Sequence, residues 1–236
     1  MDYFLFCEGR CSIIENQSDL TLDRIHNIDV HDGLHRLPDT SIDLIIADPP
    51  YGIRYRSSSR QKKFTAIQND DVIFADWLPD AYRVLKPGGA LYCYTRWDVY
   101  PQWHQRIAQL FTVKNCIIWS KNGGGMGDLR GQYSPSHEFL IFTTKGRHIL
   151  NGKRISDVWP VARDAAAHHV HPTQKPVKLA ETIIAKSSNP GDTVLIPFCG
   201  SGSDCVAAKK LGRRFIAFDV EQRYIDAAIK RVELVA

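Results

Sequence analysis

Short, continuous apolar runs alternate along the chain with stretches whose apolar residues recur every three to four positions. Runs such as "IDLIIA" and "ALYCYT" are too short for buried helices and are bounded by turn residues, so they read as strands buried on both faces. The pattern predicts strands at Arg24–Val30, Ile42–Ala47, Ala90–Thr95, Val113–Trp119, Glu138–Thr143, Thr193–Pro197 and Phe215–Asp219. It predicts helices at Ile73–Leu85, Pro101–Phe111, Lys178–Ser188, Gly202–Leu211 and Gln222–Leu234. Strands alternating with helices imply an α/β fold with a mostly parallel seven-stranded sheet and helices on both faces. Two long connections interrupt the pattern, Arg54–Asp71 and Gly146–His171, and connections of that length inside a domain are usually functional or disordered.

Composition changes this picture little. The 236 residues suit a single domain, 1–236, with a short insertion around 146–170, and 44% hydrophobic content is ordinary for a globular protein. A formal charge of +4 permits a polyanionic partner without requiring one. The six cysteines are scattered and lack zinc-ligand spacing, so free thiols are expected and no metal. No long apolar span and no signal-like start are visible, which leads us to expect a cytoplasmic chain without a membrane partner.

Chemistry concentrates in three places. "ADPPYG" follows the strand Ile42–Ala47 and puts Asp48, Pro49, Pro50 and Tyr51 at its mouth. The prolines end the strand and stiffen the backbone, fixing a carboxylate, a carbonyl and an aromatic ring in one small region. The second is "VLIPFCGSGSDCVAAKKLGRRFIAFD". A strand runs into Phe198, Gly200, Ser201 and Gly202, a helix follows, and the next strand ends in Asp219. Glycines allow a ligand to approach the backbone, the helix start offers free amides, and a carboxylate ending the next strand accepts from ribose hydroxyls. The third is "HPTQKP". The plainer reading of it is a helix entry stabilised by Pro176; the functional reading places Thr173 and Lys175 near the anionic end of a small ligand. His168, His169 and His171 have no acidic or cysteine partner at ligand spacing.

Taken in order, these motifs resemble the β group of circularly permuted, S-adenosylmethionine-dependent DNA amino-methyltransferases. The catalytic D-P-P-Y comes first, then the recognition segment, H-P-T-x-K-P and the F-x-G-x-G cofactor loop. The resemblance also covers "LKPGGALYCY" and "IIWSKNGGGMGDLRGQYSPSHEFLIFTTK", and runs from about residue 24 to the end. It implies a Rossmann-like methyltransferase fold and transfer of a methyl group to adenine N6 in DNA. N4-cytosine methylation is the nearest alternative, and a catalytically silent nucleic-acid-binding module the next.

The implied catalytic residues are Asp48, Pro49, Pro50 and Tyr51. The implied cofactor residues are Asp29, Thr173, Lys175, Phe198, Gly200, Ser201, Gly202 and Asp219, with Asp29 ending its strand near the cofactor's adenine. Arg54, Arg56, Arg60, Lys62 and Lys63, in "RYRSSSRQKKF", and Arg130 are candidate DNA contacts, against the plainer reading of solvated loops. Tyr133 and His137 are further candidates to face the substrate. A homodimer and a cognate restriction endonuclease are candidate partners. One residue departs from the family pattern: Ile196 stands where an aspartate is usual, with Asp192 and Asp29 as candidates to compensate.

Overall fold

A computed structural model describes residues 20–52, 72–124, 129–164 and 174–235. The strands are β1 (Arg24–Asn27), β2 (Ile42–Ala47), β3 (Leu85–Thr95), β4 (Thr112–Ser120), β5 (His137–Thr144), β6 (Val158–Pro160), β7 (Thr193–Ile196) and β8 (Arg214–Asp219). The helices are α1 (Val30–Arg36), α2 (Leu78–Val84), α3 (Tyr100–Ala108), α4 (Val177–Ser187), α5 (Ser203–Lys210) and α6 (Gln222–Glu233). One eight-stranded sheet runs β1-β8-β7-β2-β3-β5-β4-β6. Among the described strands only β5 runs against the rest, because its pairings with β3 and β4 are antiparallel while the other five are parallel.

Period-two alternation within each strand builds two cores. Leu44 and Ile46 of β2, Tyr92 and Tyr94 of β3, and Val194 and Ile196 of β7 pack with α4, α5 and α6 on one face. Their neighbours Ile45, Ala47, Leu91, Cys93 and Leu195 pack with α1, α2 and α3 on the other. Successive side chains of a strand point to opposite faces, so continuous apolar runs are what a doubly covered sheet requires.

Several expectations are corrected. Among the described residues the sheet has eight strands, not seven; β6 is a three-residue edge strand inside the predicted 146–171 connection, too short to leave a periodic signal. The chain after β1 turns into α1, so Asp29 caps a helix instead of ending a strand, its Oδ1 accepting from the His31 amide at 2.9 Å. Gly33 inside this short helix depresses its propensity and hides it. Helix α2 starts five residues later than expected, at Leu78, with Pro79 in its first turn. Strand β3 begins at Leu85 rather than Ala90: Leu85 pairs with Ile42 and Ala90 with Leu44, and the turn-like "KPGG" between them forms a bulge with Gly88 at φ +85°. Among the described residues no helix is long and apolar enough to cross a membrane.

Candidate active site

Neighbouring strands β2 and β7 are parallel, with Leu44 opposite Val194 and Ile45 opposite Leu195. After β2 the chain moves through α2 to β3 on one side; after β7 it moves through α5 to β8 on the other. The two connections part on opposite faces of the sheet, opening a crevice at the strands' carboxyl ends, where α/β sheets bind ligands. Asp48–Tyr51 and Phe198–Gly202 therefore meet across this switch point. Because β5 is reversed, its amino end also reaches this edge, bringing Glu138 beside Lys121 at the end of β4.

Those residues form a buried chain of alternating charge. The Lys175 Nζ donates to both Asp48 oxygens, at 3.0 and 2.8 Å, and lies 3.3 Å from a Glu138 oxygen. Lys121 closes the chain by donating to the other Glu138 oxygen. The Tyr51 hydroxyl donates to Asp48 Oδ1 at 2.6 Å. Lys175 also lies 5.5 Å from the centre of the Tyr51 ring and 5.1 Å from that of Tyr94. Burial alone pulls the Lys175 ammonium toward neutrality, but Asp48 and Glu138 outweigh it and hold it above the ordinary lysine range. Burial likewise opposes charge on Glu138, yet Lys175 and Lys121 hold its carboxyl below the usual range. At Lys121 burial wins and its ammonium titrates lower than usual. Tyr51 is held well above the tyrosine range, first by burial and then by Asp48 and Glu138. A carboxylate offers about four acceptor positions, and the described donors to Asp48 use three, two on Oδ1 and one on Oδ2. Among the described residues, one position on Oδ2 is left for a ligand. Gly52, at φ +79°, ends the motif where a Cβ would sit 2.7 Å from the Val72 backbone, so the loop's outgoing and returning backbones touch there.

Across the crevice, Asp219 at the end of β8 accepts from the Gly200 amide at 2.7 Å and the Glu221 amide at 2.9 Å. Burial raises its carboxyl above the usual range, and these amide bonds pull against the shift. The Ser201 carbonyl accepts from Arg231 of α6 at 2.5 Å, and the Ser201 and Ser203 hydroxyls lie 3.1 Å apart. Phe198 meets Trp77 and Phe74 edge-on at 5.3 and 6.4 Å, and Phe74 meets the His31 ring at 5.6 Å, next to Asp29. The Ile28 amide donates to the Asp219 carbonyl, which keeps Asp29 at the same edge. Three buried polar atoms around this edge lack a hydrogen-bond partner: the Tyr94 hydroxyl, the Thr95 hydroxyl and Asp204 Oδ1. Left unpaired, such atoms are costly, and a polar ligand in the crevice offers them partners.

A family model for N6 and N4 methyltransferases, described as DNA methylase, matches residues 42–230. The chain belongs to the N6/N4 DNA methylase family. DNA adenine methyltransferase YhdJ of Escherichia coli (strain K12) is 30% identical over 239 residues, covering 85% of this chain and 79% of that protein. Type II methyltransferase M2.DpnII of Streptococcus pneumoniae is 31% identical, covering 85% of each. Among solved structures, the M1.HpyAVI–SAM complex superposes with a TM-score of 0.69 at 26% identity, covering 89% of this chain and 98% of that one. The cytosine-N4-specific PvuII DNA methyltransferase has a TM-score of 0.71 at 16% identity, a likeness of fold. The protein is a DNA methyltransferase.

For this methyltransferase the described residues of the three motifs found in sequence converge, with one redistribution. Lys175, expected beside the anionic end of a ligand, bonds to Asp48 and Tyr51. Asp192, offered as a substitute for the aspartate that Ile196 replaces, accepts from the Asn189 amide at the opposite end of β7, away from the crevice. Ile196 is fully buried in the apolar core. Arg130 and Tyr133 lie in the exposed connection between β4 and β5, and the His137 ring stacks on Phe139 at 5.2 Å. Thr173, His168, His169, His171 and the basic residues Arg54, Arg56, Arg60, Lys62 and Lys63 lie outside the described residues. Glu138, Lys121, Tyr94 and Asp204 were not foreseen. A lone carboxylate opening a strand after a glycine-rich loop was the available signal for Glu138, but its partners come from distant segments.

Proposed function

We propose that the protein transfers a methyl group from S-adenosylmethionine to the N6 amine of adenine in DNA. The observation that carries this reading is the remaining acceptor position on Asp48, at a preorganised charge cluster facing the glycine loop across the switch point. The exocyclic amine is conjugated to its ring and is a poor nucleophile until that conjugation breaks. Asp48 Oδ2 accepts from one amine hydrogen and the Pro49 carbonyl from the other, steering the lone pair out of conjugation. Both acceptors stabilise the positive charge that develops on nitrogen, as fixed dipoles do in an oxyanion hole with the sign reversed. Tyr51 offers its ring to the extruded base, while Pro50 holds the turn. Lys175 and Glu138 orient Asp48.

S-Adenosylmethionine is the methyl donor, which it supplies from a sulfonium. The site fits it: Asp219 for the ribose hydroxyls, Phe198 with Asp29 for the adenine, and the Gly200–Gly202 backbone with Ser201 for the chain between. Thr173 belongs to the same proposed set, and Lys175 to its border with the catalytic cluster. Adenine is favoured over cytosine because aspartate opens the catalytic motif and the adenine enzymes are among the relatives at about 30% identity. The 146–170 stretch is the proposed recognition insertion, the 54–63 basic run and Arg130 the proposed DNA contacts, and a homodimer working beside a restriction endonuclease the proposed setting.

Incubating the protein with methyl-labelled S-adenosylmethionine and genomic DNA, then separating the nucleosides, tests the reading. Label in N6-methyladenine is expected. Label in N4-methylcytosine would replace the adenine assignment, and no label in either would refute the activity.

A further inference from the structure

Asp204, in the first turn of α5, is 6% exposed, and its Oδ1 has no hydrogen-bond partner. A buried carboxyl oxygen without a donor is rare and costly enough to need an explanation. The residue follows Gly202 and Ser203 directly, so it sits at the amino end of the helix that the glycine loop opens into. The charged and titratable groups that face it come from every neighbouring element. They are Asp48 after β2, Tyr94 of β3, Lys175 before α4, Arg231 of α6 and the Cys199 thiol of its own loop. None of them bonds to Oδ1; Lys175 is turned to Asp48 and Glu138, and Arg231 to Ser201 and Ser203. Ile196 of β7, buried in the apolar core, brings no polar atom.

We propose that Asp204 is the binding residue for a cationic group of the methyl donor, its carboxylate ion-pairing with the ammonium or the sulfonium once the donor enters the crevice. The inference rests on the S-adenosylmethionine reading above. In the free protein, burial and the neighbouring Asp48 push the Asp204 carboxyl up to about 7, with Lys175 and Arg231 opposing. Donor binding then favours the ionised form and releases a proton.

Calorimetric titration of wild type and Asp204→Asn with S-adenosylmethionine, S-adenosylhomocysteine and adenosine, from pH 6 to pH 8, tests this. The wild-type advantage over Asp204→Asn for S-adenosylmethionine should grow roughly tenfold across that range. The same gain with S-adenosylhomocysteine, which keeps the ammonium but is an uncharged thioether, assigns the ammonium; a gain confined to S-adenosylmethionine assigns the sulfonium. Adenosine carries neither charge, should bind both proteins equally, and reports that the variant is folded. Matching affinities and pH profiles for all three ligands in the two proteins would overturn the proposal, as would an equal loss with adenosine. Wild type that binds none of the three at any pH would instead bring down the methyl-donor reading, and this inference with it.

Discussion

Asp219 shows how much one carboxylate carries. Its two oxygens hold the amides of Gly200 and Glu221, fixing the glycine loop and the turn into α6, and lone pairs remain for ribose hydroxyls. Asp219→Ala removes the ribose acceptor and frees the Gly200 amide together. A charge-assisted hydrogen bond contributes roughly 1.5–3 kcal/mol, so S-adenosylmethionine affinity should fall by about one to two orders of magnitude. Calorimetry that finds unchanged affinity would move the ribose site elsewhere. Lys175 is the contrasting case. Its motif was plain in the sequence, but its partners, Asp48 and Glu138, are set by the sheet order, and no spacing along the chain encodes that.

Among the elements, α5 depends most on a single backbone conformation. Gly202, its amino-terminal cap, has φ +76°, and a Cβ there would sit 2.7 Å from the Ala228 Cβ of α6. Gly202→Ala combines left-handed strain of roughly 1–2 kcal/mol with a clash between helices, typically about 1–3 kcal/mol. A clear drop in melting temperature is expected. Adding Ala228→Gly should recover part of that loss despite its own helix cost of about 1 kcal/mol, because the two sites are in contact. Strictly additive losses would contradict the packing account. All seven expected strands and all five expected helices are present, since each rests on a local period that burial on both faces enforces. What escaped was fixed by contacts or was too short: α1 hides behind Gly33, β6 spans three residues, and the α2 boundary is set by Trp77, whose indole donates to the Phe74 carbonyl. In the site, the motif residues were legible, whereas Glu138 and Lys121 became visible only once β5 proved to run backwards.

At the scale of the whole molecule, the switch point gathers charge from five separate stretches of chain into one buried cluster, and that ties stability to pH. The Asp204 carboxyl titrates near 7 in the fold against 3.8 ordinarily. A raised acid favours folding while protonated, so its contribution is complete below about pH 4 and is lost as pH rises to 7. Without ligand, Asp204→Asn should therefore melt above wild type at pH 8, with the gap closing toward pH 4. A gap that widens on acidification would contradict this sign. In this mechanism Asp48 acts on the target amine while the methyl donor is held across the β2–β7 crevice. Single-turnover methylation of DNA by Asp48→Asn, with S-adenosylmethionine affinity measured alongside, tests it most directly. Losing a preorganised electrostatic partner costs on the order of 3 kcal/mol, so the rate should fall about a hundredfold or more while donor affinity stays within a few-fold of wild type. A near-wild-type rate, or a loss of donor binding that accounts for the whole defect, would contradict the account.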